Sequence, residues 1–202
     1  MKSTRTLLVA ASIVSVALAL TACSQSEPAA APSAAPTTAA VATGPFGAAC
    51  SAIPADVAAA APTVAAADAA GKIPALSTLV SFVGAAGLGQ TLNTTPNITI
   101  FAPTNDAFAK IDAATVAALQ ADPTGKLANI LKYHVVGSDI TPDKLVGQFT
   151  TLNGAPITIA GSGQTFTVTT TTPGNVSNIV CGNVKTANAR VYVIDTVLLP
   201  AA

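Results

Sequence analysis

The sequence predicts an α+β fold in which helices come first and antiparallel strands follow. In the first part of the chain, bulky apolar residues recur at the three- and four-residue spacing of helices, with one strand among them. Beyond Pro142 they alternate every second residue, and glycine-containing turns separate the runs. With 202 residues, the chain is long enough for one domain with its own core, with appendages.

The predicted helices begin in an alanine-rich stretch, residues 51–70, where Pro54 and Pro62 favour short helices with thin apolar faces. A better defined helix starts at Pro74, a residue suited to a first helical position. Its apolar face is formed by Leu76, Leu79, Val80 and Val83, before Gly84 and Gly87 weaken the pattern.

A strand is predicted over residues 97–101, where polar residues alternate with β-formers until Pro103 ends the run. Thr104 then provides an N-cap for a short helix that carries Phe108 and Ile111. Asn105 and Asp106 fall in the first turn of this helix, where polar groups satisfy free amides and the helix dipole favours an acid.

Two further helices are predicted before the chain changes to strands. Asp112 can cap the first, which has Val116 and Leu119 on one face. Leu127, Ile130 and Leu131 mark the second, which leads into Tyr133-His134-Val135-Val136. A last helical turn starts at Thr141-Pro142.

The second half of the domain is predicted to be hairpins. Its strands are placed at Phe149–Leu152, Ile157–Ala160, Phe166–Thr170, Ile179–Cys181, Val184–Thr186 and Arg190–Leu199, with turns at Asn153-Gly154 and Gly161-Ser162-Gly163.

The N-terminus has the features of an export signal. Lys2 and Arg5 precede an uncharged, largely apolar run from Leu7 to Leu20, which is shorter than the ~20 residues of a transmembrane helix. The next residues, Leu20-Thr21-Ala22-Cys23, resemble a bacterial lipobox. Residues 1–22 are therefore predicted to be a lipoprotein signal peptide, with diacylglycerol and an N-acyl chain on Cys23. A plain secretory signal with an incidental cysteine is the alternative.

Residues 23–45 are predicted to be a disordered tether that begins with the lipidated cysteine. Prolines interrupt alanine, serine and threonine here, and the segment has no periodic apolar face with which to offset its ordering entropy. Two or three acyl chains would hold the protein stably on the extracytoplasmic face of the cell membrane, since each buried CH₂ contributes about 0.8 kcal/mol. A shed or secreted form is the other possibility.

Cys50 and Cys181 remain, near the two ends of the folded part of an exported chain, which suggests a disulfide. Two free thiols or a metal pair are the alternatives, although two cysteines and one histidine so far apart match no zinc spacing.

Composition and motifs exclude several function classes. Nine basic residues balance nine acidic ones, so the chain lacks the positive charge that nucleic-acid binding needs. The metal, nucleophile-elbow and nucleotide-binding motifs of the common enzyme classes are absent. A Ser138–Asp139–His134 triad can be drawn, but sequence neighbours rarely hold that geometry. We therefore predict no enzyme, no cofactor and no metal.

Three segments together resemble the fasciclin (FAS1) domain. They are TIFAPTNDAF at Thr99–Phe108, the Tyr133-His134 pair, and VYVIDTVLLP at Val191–Pro200. The closing stretch is most similar to the secreted and lipid-anchored immunogenic fasciclin proteins of mycobacteria. The resemblance implies one fasciclin domain over residues 46–202, a wedge-like β-sandwich flanked by several short helices, and a cysteine bridge between the domain's two ends.

The resemblance also marks candidate interaction residues. In animal fasciclin adhesion proteins the tyrosine-histidine segment is a proposed integrin contact, so Tyr133 and His134 are candidates, with a structural role in the core as the other reading. Asn105 and Asp106 of the first signature are candidates for an interaction or a structural role as well. The second proposed contact, an aspartate, corresponds to Asn183 here, which puts a metal-dependent integrin contact in doubt. Asp195, in an apolar strand, is predicted to be an internal hydrogen-bond acceptor.

The sequence therefore predicts a cell-surface, lipid-anchored protein that acts in adhesion or in contact with an unidentified extracellular protein. A carrier of a small apolar ligand such as a lipid is the alternative, because the many small side chains could leave a groove between helices and strands.

Overall fold

A mixed sheet is the centre of the fold in the computed structural model, which describes residues 44–54, 57 and 61–201. These residues belong to one compact unit, Thr38–Ala202. The signal peptide predicted at residues 1–22, Cys23 and nearly all of the predicted tether lie outside the described residues. The predicted start of the domain at residue 46 thus stays a prediction.

The described helices pack mainly in the first half of the unit. They are α1 (Ala66–Gly71), α2 (Ser77–Ala85), α3 (Gly89–Thr94), α4 (Asn105–Ala109), α5 (Ala113–Ala121) and α6 (Ala128–Tyr133). Short 3₁₀ turns occupy Ala48–Ala52, Ala61–Thr63, Pro74–Leu76 and Pro142–Lys144, and a π-helical turn occupies Pro123–Leu127.

The strands are β1 (Ile98–Pro103), β2 (Val135–Val136), β3 (Gly147–Thr150), β4 (Pro156–Ser162), β5 (Thr165–Thr169), β6 (Val176–Lys185) and β7 (Ala189–Ile194). Their order in the sheet is β2-β1-β7-β6-β5-β4-β3. β1 runs parallel to β7, and the other neighbours are antiparallel.

The two edges of the sheet nearly meet. Val136 of β2 pairs with Thr151, just after β3, and the Leu152 amide donates to the Val135 carbonyl at 2.7 Å. The curved sheet therefore has an inside as well as an outside, and β1 and β7 are buried on both faces. The predicted α+β class, a sandwich-like sheet with short helices against it, is confirmed.

Two hydrophobic cores lie on opposite faces of β1 and β7. The helix-side core is covered by α1, α2, α3, α5 and α6, and its buried residues include Ala66, Leu79, Phe82, Leu92, Ile100, Ala102, Phe108, Leu131 and Val191. The inner-sheet core fills the curve of the sheet with Phe46, Phe101, Tyr133, Leu145, Ile157, Ile159, Phe166, Val168, Tyr192, Ile194 and Leu198. Alternation along β1 and β7 thus serves both cores at once.

Two predicted strand boundaries are wrong. The strands expected at 179–181 and 184–186 are one strand, β6, which stays continuous through two irregularities around Cys181. The strand expected over 190–199 ends at Ile194. The Asp195 amide still donates to the Asn178 carbonyl at 3.2 Å, but the Thr196 amide donates to the Ser177 hydroxyl instead of to a main-chain carbonyl. Helix α3 was not predicted, since Gly87 and Gly89 interrupt its apolar pattern.

Candidate functional site

Tyr133 and His134 lie where α6 gives way to β2, and both are buried, with 0% and 3% of their surface exposed. The hydroxyl of Tyr133 donates to the Pro156 carbonyl at 3.0 Å and accepts from the Thr171 amide at 3.3 Å. The side chain therefore joins the end of α6 to the start of β4 and to the loop after β5. A partner at the surface would not touch it.

Both ring nitrogens of His134 are used inside the fold. Nδ1 lies 2.8 Å from the Ile130 carbonyl, and Nε2 accepts from the Leu198 amide at 2.9 Å. Nδ1 therefore carries the proton, and the imidazole is neutral. Burial lowers the pKa of His134 from 6.5 to about 4, although the hydrogen bond to Ile130 acts in the opposite direction. The ring cannot serve as a base without leaving these partners.

The drawn triad does not form. The carboxylate of Asp139 is held by Arg190, with Nε at 2.7 Å and Nη2 at 3.2 Å, while His134 bonds only to main-chain groups. Arg190 is itself 8% exposed, so this bidentate pair fastens the loop after β2 to β7.

Asn183, which the resemblance was expected to match with the integrin-contact aspartate, points inward. It is 5% exposed, its Oδ1 accepts from Arg190 and its Nδ2 donates to the Gly44 carbonyl at 3.1 Å. Its backbone has φ of 62°, a left-handed conformation that asparagine tolerates better than most residues. A structural role accounts for this side chain.

Asn105 and Asp106 occupy the first turn of α4, and they behave differently. The Asn105 side chain donates to the Pro74 carbonyl at 3.0 Å and accepts from the Thr78 amide at 3.0 Å, so it ties α4 to the start of α2. Asp106 is exposed, and its side chain makes no hydrogen bond to the described residues. Thr104 caps the helix as predicted, with its hydroxyl accepting from the Ala107 amide.

Asp195 is an acceptor, as predicted. Its carboxylate takes hydrogen bonds from the amide and the side chain of Asn178 at 2.8 and 2.9 Å, and Lys110 lies 3.6 Å away. Partial burial raises the pKa of Asp195, but these hydrogen bonds and the charge of Lys110 outweigh it and lower the pKa overall.

An N-terminal strap, residues 44–53, is fastened to β6. Cys50 is bonded to Cys181, a sequence separation of 131 residues, which contributes about 5 kcal/mol on the chain-entropy model. Phe46 pairs with Gly182 and packs against Phe166, with ring centroids 5.5 Å apart. A Cβ at Gly182 would lie 2.4 Å from the Phe46 ring, so only glycine admits that ring.

Sequence reasoning missed two sets of polar contacts, those of Asn188 and the ion pair between Arg190 and Asp139. Asn188 accepts from the Ala66 amide at the start of α1 and donates to the Leu92 carbonyl at the end of α3. Their partners lie 51 to 122 residues away in sequence, and no local pattern marks such contacts. Arg190, a charged residue inside the apolar closing strand, was the one feature of the sequence that could have indicated a buried ion pair.

Within the described residues, no group of three or more His, Cys, Asp or Glu side chains could hold a metal ion. No helix in the described part of the chain has the length and apolarity to cross a membrane. Each buried side-chain nitrogen and oxygen there has a hydrogen-bond partner. The buried polar groups of this region thus hold the fold together.

The described part of the chain contains a core cavity and a surface groove. A cavity of about 40 Å³ lies in the helix-side core, against α1 and His134. An apolar surface groove of about 590 Å³ lies between the α5–α6 region and the C-terminal segment. It is lined by Leu119, Lys126, Asn129, Ile130, Thr172, Pro173, Leu199, Pro200 and Ala201.

The curved sheet, its helical cover and the buried tyrosine-histidine corner define a domain of the fasciclin type. Residues 74–200 match the Fasciclin domain family, and the chain belongs to that family.

Its relatives include cell-surface and immunogenic proteins of mycobacteria. The chain is 42% identical over 139 residues to the immunogenic protein MPB70 of Mycobacterium bovis, covering 66% of this chain and 68% of MPB70. It is 43% identical over 141 residues to the cell surface glycolipoprotein MPB83 of the same species, covering 67% of this chain and 60% of MPB83.

A solved FAS1 domain pair from the insect cell adhesion molecule Fasciclin I shares the fold. The TM-score is 0.50 at 22% identity, over 61% of this chain and 45% of that chain. This chain therefore corresponds to less than half of the two-domain insect structure.

Proposed function

We propose that the protein is a cell-surface lipoprotein, anchored through diacylglycerol on Cys23, whose fasciclin domain over residues 46–202 contacts an extracellular protein. Membership of the fasciclin family carries this proposal. The lipobox at Leu20–Cys23 and the likeness to a cell surface glycolipoprotein support the anchor. Residues 23–45 would then be the tether between membrane and domain.

The proposed role is contact without catalysis. His134 is neutral and buried, and both of its ring nitrogens are bonded. Asp139, the nearest acidic residue in sequence, is paired with Arg190. The strap and the disulfide fix the domain at the end where the tether arrives. Such a domain would present a rigid surface at a distance from the membrane.

The apolar groove between the α5–α6 region and the C-terminal segment is the surface we propose for protein contact. Exposed Pro173 and half-buried Ile130 and Leu199 contribute apolar area, and Lys126 adds a charge at the margin. Apolar surface with a polar rim is typical of interaction sites. Tyr133 and His134 are poor contact candidates because both are buried.

The anchor is tested by Cys23→Ala, with Ser24→Ala as the matched control. Acylation at Cys23 predicts that only Cys23→Ala loses the lipid mass and moves from the detergent phase to the aqueous phase. The measurements are intact mass and detergent partitioning of the full chain. Unchanged mass and partitioning in Cys23→Ala would refute the anchor.

The contact surface is tested with unacylated mature chain in a cell-binding assay. Lys126→Glu combined with Pro173→Asp should abolish binding, whereas Lys185→Glu, an exposed charge reversal at the end of β6, should not. Equal binding by both variants would remove the groove from the proposal, and no binding by the parent chain would remove the contact role.

The carrier alternative receives little support in its lipid form. The core cavity of about 40 Å³ holds roughly three water-sized groups, far less than an acyl chain. A reproducibly bound lipid in native mass spectrometry would revive it.

A further inference from the structure

The helix-side core contains an unfilled cavity of about 40 Å³ beneath α1. Small side chains make it: Ala66, Ala67 and Ala70 of α1 face Ala102 of β1 across it. Larger side chains from α2, α3 and β7 close the remaining walls. In the inner-sheet core, bulky aromatic and branched residues occupy the corresponding space.

The chemistry of the walls excludes a polar occupant. His134 is the one polar side chain that lines the cavity, and both of its ring nitrogens are already bonded, to Ile130 and Leu198. The other lining side chains are aliphatic or phenyl groups. A buried water needs two to four polar partners, so the cavity gives water no stable place.

From this size and lining we propose that the cavity binds the end of one short linear alkyl group, about three carbon atoms long. Binding removes the apolar surface of the alkyl group from water and gives the cavity walls the contacts that an empty space lacks. It needs no rearrangement of the hydrogen bonds around His134. The site is independent of the proposed adhesion role, and either can fail without the other.

Helix α1 is the wall through which such a group enters. It is six residues long, and Ala67 and Ala70 are half-buried, so a single layer of small side chains separates the cavity from the surface. Side chains hold its first turn, with Asn188 accepting from the Ala66 amide and Asn93 from the Ala67 amide, each at 3.0 Å. The C-terminal turn of α1 is joined by main-chain hydrogen bonds from Lys72 and Ile73.

Xenon is the first probe, because it is apolar and small, and propane is the second. The full chain, methyl-labelled, is titrated with each gas and followed by methyl NMR. Saturable shifts are expected at Leu79, Val83 and Leu92, which line the cavity, and not at Ile159 or Val168 of the inner-sheet core. Absent shifts, or equal shifts in both cores, would overturn the proposal.

A filling variant separates binding at this site from weak binding elsewhere. Ala70→Leu places an isobutyl group in the cavity and should weaken xenon and propane binding by about tenfold or more. Ala117→Leu, the same change at an exposed position of α5, should bind as the parent chain does. Ala67→Met is the second filling variant, since methionine adapts to irregular space if leucine disturbs the fold. Retained binding in a folded filling variant would contradict the assignment.

Discussion

The two cores on either side of β1 and β7 are packed from different side chains. The buried residues of the helix-side core include six alanines, Ala66, Ala86, Ala102, Ala107, Ala128 and Ala189. The inner-sheet core, among the described residues, has no buried alanine and holds the aromatic rings of Phe46, Phe101, Tyr133, Phe166 and Tyr192. In the helix-side core, small side chains let the helices pack closely but leave a cavity. In the inner-sheet core, large side chains fill the curve of the sheet.

The disulfide is the largest single test, because the strap it holds reaches both cores. Phe46 belongs to the inner-sheet core, and Ile53 belongs to the helix-side core. Cys50→Ser with Cys181→Ser should lower the free energy of unfolding by about 5 kcal/mol in urea. Reduced parent chain is the control and should match. A loss below about 1 kcal/mol would mean that the strap is held by packing alone.

His134 connects the two cores, and its protonation in acid should lower the free energy of unfolding. Its ring lines the helix-side cavity, while Nε2 accepts from Leu198 of the inner-sheet core. With a folded pKa of about 4 against 6.5 unfolded, the unfolded state binds the proton first as pH falls. Stability is therefore complete above about pH 6.5 and declines by about 3 kcal/mol toward pH 4.

Urea unfolding from pH 7 to pH 4 measures this decline. The chain has one histidine, and Asp195, whose pKa is lowered, loses its contribution only at more acid pH. His134→Gln is the comparison variant: it should be less stable at pH 7 and nearly flat between pH 6.5 and pH 4.5. An equally steep decline in this variant would assign the effect to other groups.

One added methylene in each core gives the finest comparison. Val168→Ile enlarges a fully buried residue of the inner-sheet core and should cost about 1 kcal/mol through overpacking. Val83→Ile adds the same group beside the helix-side cavity and should be neutral or stabilise by up to about 0.8 kcal/mol. Thermal unfolding of the two variants measures the difference in stability. Equal losses of stability would show that the two cores are equally well packed.

The elements of the fold were largely predictable, because local patterns specify them. Thr104 marked the start of α4, and the change from helical to alternating spacing marked the β-half. The parallel pairing of β1 with β7, the near-closure between β2 and β3, and the sharing of β1 and β7 by two cores join distant segments. Periodicity carries no information about which strands meet.

The candidate site was only partly predictable for a related reason. Tyr133 and His134 were identified, but both are held by Pro156, Thr171 and Leu198, which come from the start of β4 and from two separate loops. Asn188 bonds to two helices and Arg190 to the loop after β2, and no spacing rule connects these groups. The residue types were visible in the sequence, and their partners were not.

The N-terminal strap also determines how the domain bears tension. A pull on the chain ahead of Gly44 reaches Cys50 within a few residues and crosses the covalent bond to Cys181, inside β6. The helices and β1 to β5, which lie between the two cysteines in sequence, are bypassed by that path. A load applied through this N-terminal segment would therefore have to shear β6 out from between β5 and β7 before the rest of the domain could unfold.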